Sequence, residues 1–177
     1  MYPGIIAGGI AGLVGTWAMS EVQRLWTLAV DGDAPHSAGG RHDARDWQER
    51  IEHRNSNEMA AQKLARYTLR RRLTQDELRV AAPLVHYLFG ATAGAIYGAY
   101  AQHRPADRSG AGFGTTVWFA ADEIAMPLVG LSDSTADRPL EMHLQSLVAH
   151  LVYGTVTEMT RGALQAQFAA RHLQHAD

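Results

Sequence analysis

Four stretches of the chain are almost free of charge, and each is long enough to form a membrane-spanning helix. They cover residues 3–30, 81–101, 110–131 and 140–168. A helix needs about 20 mainly apolar residues to cross a bilayer. The first stretch has no Lys/Arg leader and exceeds the core of a signal peptide, so we expect it to be retained as a helix. The pattern predicts an all-α, polytopic membrane protein with four transmembrane helices in a single membrane domain, residues 1–177.

A short motif occurs twice in these stretches. The sequence His-Tyr-Leu-Phe-Gly at residues 86–90 is echoed by His-Leu-Val-Tyr-Gly at residues 150–154. In the stretch before each copy, an acid follows a tryptophan by one helical turn, at Glu21 and at Asp122. We therefore predict two repeated helical hairpins, each pairing an acid-bearing helix with a histidine-bearing helix, with a pseudo-twofold axis along the membrane normal.

Glycine recurs at every fourth position in three of the stretches. The positions are Gly4, Gly8 and Gly12, then Gly90, Gly94 and Gly98, then Gly110 and Gly114. This spacing places the glycines on one narrow stripe of a helix, which in an apolar segment is the small-xxx-small packing pattern. In water each interior glycine would weaken its helix by about 1 kcal/mol, which argues against a soluble four-helix bundle. The stripes predict close packing within the subunit, with a dimerisation face as the alternative.

Most of the basic residues lie in the loop 31–80. The positive-inside rule places this loop in the cytoplasm, together with the turn at 132–139, and both termini on the other side. Residues 31–40 are rich in Gly, Ala, Pro and Ser and predict an irregular linker. The loop also explains why the mean hydropathy of −0.19 resembles that of a soluble protein.

The second half of this loop carries two local signals. Residues 55–72 interleave apolar side chains with bases and predict an amphipathic cytoplasmic helix; the apolar members are Met59, Leu64, Tyr67 and Leu69. Residues 74–77 then form a capping-box pattern that opens the next helix. At the helix end, Arg70, Arg71 and Arg72 are predicted to contact anionic lipid headgroups at the cytoplasmic leaflet. A solvated, charged helix end is the alternative.

Five ionisable residues are predicted to form a polar layer inside the bundle. They are Glu21, His86, Asp122, Glu123 and His150. Because the helices alternate in direction, these positions fall at similar depth on one side of the bundle. Adjacent residues lie about 100° apart on a helix, so only one of Asp122 and Glu123 is expected to point fully inward. On the fourth helix His143, Glu158 and Arg161 share the stripe of His150, and Glu158 and Arg161 are close enough to pair.

Three interpretations of this layer are open. The first is interhelical hydrogen bonding that fixes the packing. The second is proton or ion handling, because histidine titrates near neutral pH and a nearby carboxylate shifts that value. The third is ligation of a metal or a haem by His86 and His150 with the acids. No Glu-x-x-His pair of the di-iron type is present, so the sequence identifies neither a metal nor a cofactor.

Composition and motifs narrow the functional classes. The net charge of −2 argues against a nucleic-acid-binding protein. The chain has no cysteine, which excludes thiolate metal sites and cysteine nucleophiles. It contains no P-loop, dinucleotide fingerprint or nucleophile elbow. These observations favour a membrane protein that is not an enzyme.

Several runs of the sequence resemble the YagU-like family of bacterial inner-membrane proteins. The runs are residues 11–17 with Met19, residues 81–87 with Phe89 and Gly90, residues 112–115 and 121–123, and residues 150–154. The resemblance covers all four apolar stretches and leaves out most of residues 31–57. It implies a small polytopic inner-membrane protein, linked to acid tolerance and assembling as a homo-oligomer, and it supplies no reaction or catalytic residue. The alternative expectation is an accessory subunit of a larger energy-transducing membrane complex.

Overall fold

The described part of the chain is built from helices. The structure is a computed structural model, and it describes residues 3–32, 57–104, 108–125, 128 and 140–174. Within these ranges there are five helices and no strand. They are α1 (Pro3–Gly32), α2 (57–68), α3 (Gln75–His103), α4 (Gly110–Trp118), which continues as a π-helical segment over Phe119–Ala125, and α5 (Leu140–Gln174). The predicted all-α class is confirmed.

The predicted capping box determines where α3 begins. The Thr74 hydroxyl accepts a hydrogen bond from the Glu77 amide at 3.3 Å, and the Glu77 carboxylate accepts one from the Thr74 amide at 2.8 Å. The helix therefore begins at Gln75, where the capping-box pattern predicts its start and six residues before the apolar stretch that begins at residue 81. Pro83 lies inside the helix at an exposed position, where it removes one backbone hydrogen bond without ending the helix.

Other predicted boundaries differ or cannot be compared. α1 continues through Gly32, so the irregular linker does not begin at residue 31. α5 extends to Gln174, beyond the predicted end at residue 168, and α2 ends at residue 68, before the predicted end at residue 72. The remainder of the linker, the end of the third stretch at 129–131 and the turn at 132–139 lie outside the described residues.

Two hairpins are joined through α1 and α5. α1 packs against both α3 and α5, and α4 packs against α5. Aromatic side chains bring α3 and α4 together at the centre, where the rings of Tyr97 and Phe113 stack at 4.1 Å between centroids. Phe113 also contacts the ring of Tyr153 at 5.6 Å, and the Tyr153 hydroxyl donates a 2.7 Å hydrogen bond to the Gly90 carbonyl. Residues from three helices therefore meet in one central contact.

Glycines allow the helix backbones to touch within each hairpin. In the first hairpin Gly4, Gly8 and Gly12 of α1 face Gly98, Gly94 and Gly90 of α3, in antiparallel order. A Cβ atom built on Gly4 would lie 2.7 Å from the Gly98 carbonyl oxygen. In the second hairpin a Cβ on Gly110 would lie 2.8 Å from the Gly154 carbonyl oxygen. Both distances are too short for a real side chain, so these interfaces require glycine.

The large apolar side chains of the helices face outward. The buried residues are mostly small, such as Ala7, Ala11 and Ala149. By contrast, Ile96 of α3 is 67% exposed and Met159 of α5 is 69% exposed. This distribution is the reverse of that in a water-soluble bundle, where the largest apolar side chains form the core.

Two of the described helices are long and apolar enough to cross a membrane. The segments are Gly4–Ala29 and Gln75–His103. In the most apolar 18-residue segment of each helix, only 39% and 22%, respectively, is buried within the chain. The core helix of a soluble protein is mostly buried. Length, composition and exposure together indicate membrane association.

The glycine interface gives a test with a control at the adjacent residue. A Cβ on Gly8 would collide with the backbone of Gly94, whereas a Cβ on Gly9 would meet the Ala95 side chain at an ordinary 3.7 Å. We expect Gly8→Ala to destabilise the protein by about 1–3 kcal/mol, the usual cost of overpacking. Gly9→Ala should be neutral or slightly stabilising because alanine favours the helix. Thermal unfolding in detergent measures both, and equal effects would contradict the proposed backbone contact.

Candidate functional site: a histidine–carboxylate layer

The π-helical segment that follows α4 carries two carboxylates toward α5. Ser146 donates a short hydrogen bond to the Asp122 carboxylate, and His143 Nδ1 lies 2.9 Å from Glu123 Oε1. The wider turn of a π-helix separates adjacent residues by a smaller angle than an α-helix does. Both carboxylates therefore reach α5, although an α-helical pattern allows only one of them to point fully inward.

Ser146 and His150 lie one turn apart on the buried face of α5. His150 is 6% exposed, and its Nδ1 atom donates to the Ser146 carbonyl at 2.9 Å. A carbonyl oxygen only accepts, so this bond places the proton of the neutral ring on Nδ1 and leaves Nε2 as the acceptor. The same Nδ1 lies 3.9 Å from Asp122 Oδ2. That separation is too long for a hydrogen bond, so Asp122 is linked to His150 through Ser146, whose hydroxyl oxygen lies 3.5 Å from His150 Nδ1.

His86 brings α3 into the same layer. The charges of His150 and Asp122 act on it, so it lies within electrostatic range of both groups. The His86 side chain is partly buried, and its ring meets that of Tyr87 edge-on at 6.2 Å between centroids. The printed contacts therefore join Asp122, Ser146 and His150, with the Glu123–His143 pair beside them, and His86 lies within electrostatic range of Asp122 and His150.

Glu21 has a different partner. Its carboxylate forms an ion pair with Arg24, one turn later on α1, and its side chain is 35% exposed. Arg24 satisfies the charge of Glu21 locally, so Glu21 does not need to turn toward the histidines. Of the five predicted members, Asp122, Glu123 and His150 take part in contacts between the π-helical segment and α5, and His86 lies within electrostatic range of Asp122 and His150. Glu21 forms an ion pair on its own helix.

The metal interpretation requires at least three suitable ligands. Among the residues that the structure describes, no group of three or more His, Asp or Glu side chains has the geometry to hold a metal ion. The contacts seen in the layer are histidine–carboxylate and serine–carboxylate hydrogen bonds. The chemistry that these groups support directly is hydrogen bonding between helices and the exchange of protons within a pair.

A second polar cluster lies further along α5. Arg161 is 1% exposed and makes two 2.6 Å hydrogen bonds to the Glu158 carboxylate, as predicted for this pair. A third 2.6 Å bond goes to Gln165, and the guanidinium carbon lies 5.9 Å from the centre of the Tyr97 ring. Sequence reasoning missed Gln165 and Tyr97, although Gln165 follows Arg161 by the four residues that place two side chains on one helix face.

The Tyr97 hydroxyl is an unusual member of this cluster. It lies in the field of Glu158 and Arg161, yet it is buried and has no hydrogen-bond partner of normal geometry among the described residues. The Trp118 ring nitrogen is also buried and also has no hydrogen-bond partner among the described residues. Unpartnered buried polar atoms are uncommon in proteins. Tyr97 lies on α3 and Trp118 on α4.

The predicted headgroup-contact residues form a tight exposed turn. Arg71 makes a two-point contact with the Glu77 carboxylate at 2.8 and 2.6 Å, and this pairing raises the pKa of Arg71. Arg70 has a φ of 54°, in the left-handed region, where the chain turns from α2 toward α3. Arg70 and Arg72 are exposed on either side of the paired Arg71.

The chain matches the family described as "Protein of unknown function (DUF1440)". The match covers residues 60–159, more than half of the 177 residues. The chain belongs to this family. No curated protein and no solved structure matches the chain.

The part that matches DUF1440 contains most of the candidate site. It includes His86, the π-helical segment, and α5 from its start to Met159. Glu21 and all of α1 lie outside it, as do Arg161 and Gln165. Within this DUF1440 protein the layer is therefore contained in the matched region, whereas the second cluster crosses its end.

The buried ion pair of α5 can be compared with an exposed pair of the same spacing on α1. We expect Arg161→Met to destabilise the protein by about 3–5 kcal/mol, because Glu158 would lose its buried partner. Arg24→Met should cost only about 0.2–1 kcal/mol, since the Glu21–Arg24 pair is solvent-accessible.

A double variant separates loss of the pair from loss of packing. Arg161→Met combined with Glu158→Leu should recover most of the stability, because no uncompensated charge remains. Chemical unfolding in detergent measures the three variants. A double variant as unstable as Arg161→Met would show that the guanidinium acts through its other contacts, to Gln165 and Tyr97.

Proposed function

We propose that this DUF1440 protein is a four-span integral protein of the bacterial inner membrane, of the YagU-like kind, that acts without a catalytic centre. The observation that carries the proposal is its outward apolar surface combined with a core of small residues. Lipid tails solvate large apolar side chains as well as a protein core does, so helices in a bilayer associate through small residues and hydrogen bonds. This protein has both features, since its helices touch at glycines and are joined by buried hydrogen bonds.

The arrangement of α3 and α5 supports the repeated-hairpin part of this proposal. Tyr97 contacts Arg161, and these two residues are separated by the same number of residues as the two copies of the duplicated motif. His86 and His150 have the same separation and lie within electrostatic range of each other. Corresponding positions of two repeats meet in this way when a twofold axis runs between parallel helices.

The histidine–carboxylate layer favours a role in acid tolerance. Two contacts between the π-helical segment and α5 depend on carboxylates, namely Glu123 with His143 at 2.9 Å and Asp122 with Ser146. A carboxylate accepts hydrogen bonds when ionised and loses acceptor capacity when protonated. Protonation of these two carboxylates would therefore loosen the attachment of this segment to α5.

A role as a subunit of a larger membrane complex is the second candidate. Its support is the exposed apolar surface of α1, where Trp17, Leu25 and Leu28 are each more than half exposed. Helices in lipid expose such residues either to lipid or to neighbouring helices. Purification in a mild detergent separates the possibilities: co-purifying proteins favour the subunit role, and a single species of defined mass favours a monomer or homo-oligomer.

Cysteine scanning tests the number of membrane spans, because the chain has no cysteine of its own. We expect single cysteines at Ile10, Ile96, Thr116 and Met159, all exposed on different helices, to be shielded from a water-soluble maleimide in intact membranes. A cysteine at Arg171 should react. Shielding at Ile10 and Ile96 alone would leave two spans and contradict the four-span proposal.

The acid-response proposal predicts that a variant lacking one titratable carboxylate has a melting temperature that depends differently on pH. Glu123→Gln retains an oxygen that can accept from His143 but cannot be protonated in the physiological range. The melting temperature of the wild-type protein in detergent should fall more steeply on acidification than that of the variant. Glu21→Gln, which alters an exposed carboxylate on α1, is the matched control and should follow the wild-type profile. If melting temperature depends on pH in the same way in all three proteins, the histidine–carboxylate layer is not the acid-sensitive element.

A further inference from the structure

Residues 57–74 form a helix and turn with two different faces, called the basic anchor below. The face of α2 that packs inward is small, with Ala61 and Ala65 almost fully buried. The rest of the helix surface is exposed and carries Tyr67, which is 91% exposed, together with Leu64 and the base Arg66. An exposed aromatic and aliphatic surface interleaved with bases is the composition of helices that lie in a membrane interface.

The basic anchor is held in place by hydrogen bonds. The Gln62 side chain makes two 2.9 Å bonds to the backbone of Leu73, one through its amide nitrogen and one through its oxygen. These bonds fix the end of the turn against α2. The Thr74 capping box then fixes the start of α3. The turn therefore presents its side chains from a defined backbone.

The three arginines of the turn have different roles in the structure. Arg71 donates hydrogen bonds from both terminal nitrogens to the Glu77 carboxylate and thereby stabilises the turn. Arg70 and Arg72 flank it and extend into solvent. The prediction that all three arginines contact lipid headgroups is therefore refined, because Arg71 has an internal carboxylate as its partner.

The position of the basic anchor along the chain fixes its depth. α3 is one of the two helices long and apolar enough to cross a membrane, and its first residue, Gln75, follows the turn directly. If α3 spans the bilayer, the arginines lie where the hydrocarbon core gives way to headgroups. Basic side chains at that level attract anionic lipid, and aromatic side chains favour the same zone.

We propose that the basic anchor binds the phosphates of anionic phospholipids through Arg66, Arg70 and Arg72, while Tyr67 and Leu64 insert among the headgroups. This proposal rests on the membrane embedding proposed above. Charge complementarity and continuity with the α3 span favour a lipid surface over a soluble acidic partner, which would leave the aromatic and aliphatic side chains without a counterpart.

Lipid-dependent quenching tests the proposal on the full chain. A fluorophore on Leu64→Cys reports the depth of the basic anchor, since the chain has no other cysteine. The labelled protein is reconstituted in bilayers of phosphatidylcholine with increasing phosphatidylglycerol, and quenching by spin-labelled lipid is measured. Fluorophores on Ile10→Cys, within α1, and on Ala169→Cys, near the far end of α5, serve as references for the span and for the opposite side.

The proposal predicts a specific dependence on charge. Quenching at position 64 should rise with phosphatidylglycerol, and the apparent affinity for this lipid should fall roughly fivefold for each of Arg70→Gln and Arg72→Gln. The combined lysine variant, Arg70→Lys with Arg72→Lys, should retain binding because a phosphate accepts either cation. Arg171→Gln removes the same charge near the far end of α5 and should change nothing at position 64.

Two results would overturn the proposal. Quenching at position 64 that is independent of phosphatidylglycerol and of both arginines would show that the basic anchor does not recognise anionic lipid. Protection of position 64 in cell membranes, with full exposure in purified bilayers, would assign the surface to a protein partner. In either case quenching at Ile10 remains if α1 spans the bilayer, so loss of quenching there would identify failure of the membrane proposal itself.

Discussion

Backbone contact between helices is the constraint on which the rest of this structure depends. Along the α1–α3 interface most glycines face a carbonyl or Cα atom of the partner helix at separations that leave no space for a Cβ; they are Gly4, Gly8, Gly12, Gly94 and Gly98. Such an approach gives extensive dispersion contact without a large apolar core. It also fixes the register of the hairpin, because a shift along either helix would bring a side chain against a backbone.

This close approach determines where polar groups can lie. With small residues at the hairpin interfaces, the larger interior side chains collect where α3, α4 and α5 converge. Tyr97, Phe113 and Tyr153 fill the centre, and polar groups lie on either side of it along α5. The histidine–carboxylate layer occupies the side near the start of α5, and the Arg161 cluster occupies the other. A membrane environment would make both costly unless their hydrogen bonds were satisfied within the bundle.

The π-helical segment shows how local backbone geometry changes a site. An α-helix from residue 110 to residue 131 would direct Asp122 and Glu123 to different faces. The change from α-helix to π-helix at Phe119 brings both carboxylates to α5, where Ser146 contacts Asp122 and His143 contacts Glu123. π-Helical turns are frequent at functional sites, and this one contains both acids of the layer.

The sequence alone determined the helical class, the approximate position of every described helix, the capping box at Thr74 and the pairing of Glu158 with Arg161. These features depend on periodicity and on residues three or four positions apart, so local order is sufficient to predict them. The tertiary structure decided that Asp122 and Glu123 both reach α5, that Glu21 pairs with Arg24, and that Arg71 is occupied by Glu77. It also brought Tyr97 beside Arg161. These choices depend on a change of helix type and on competition between partners, and neither leaves a periodic signal in the sequence.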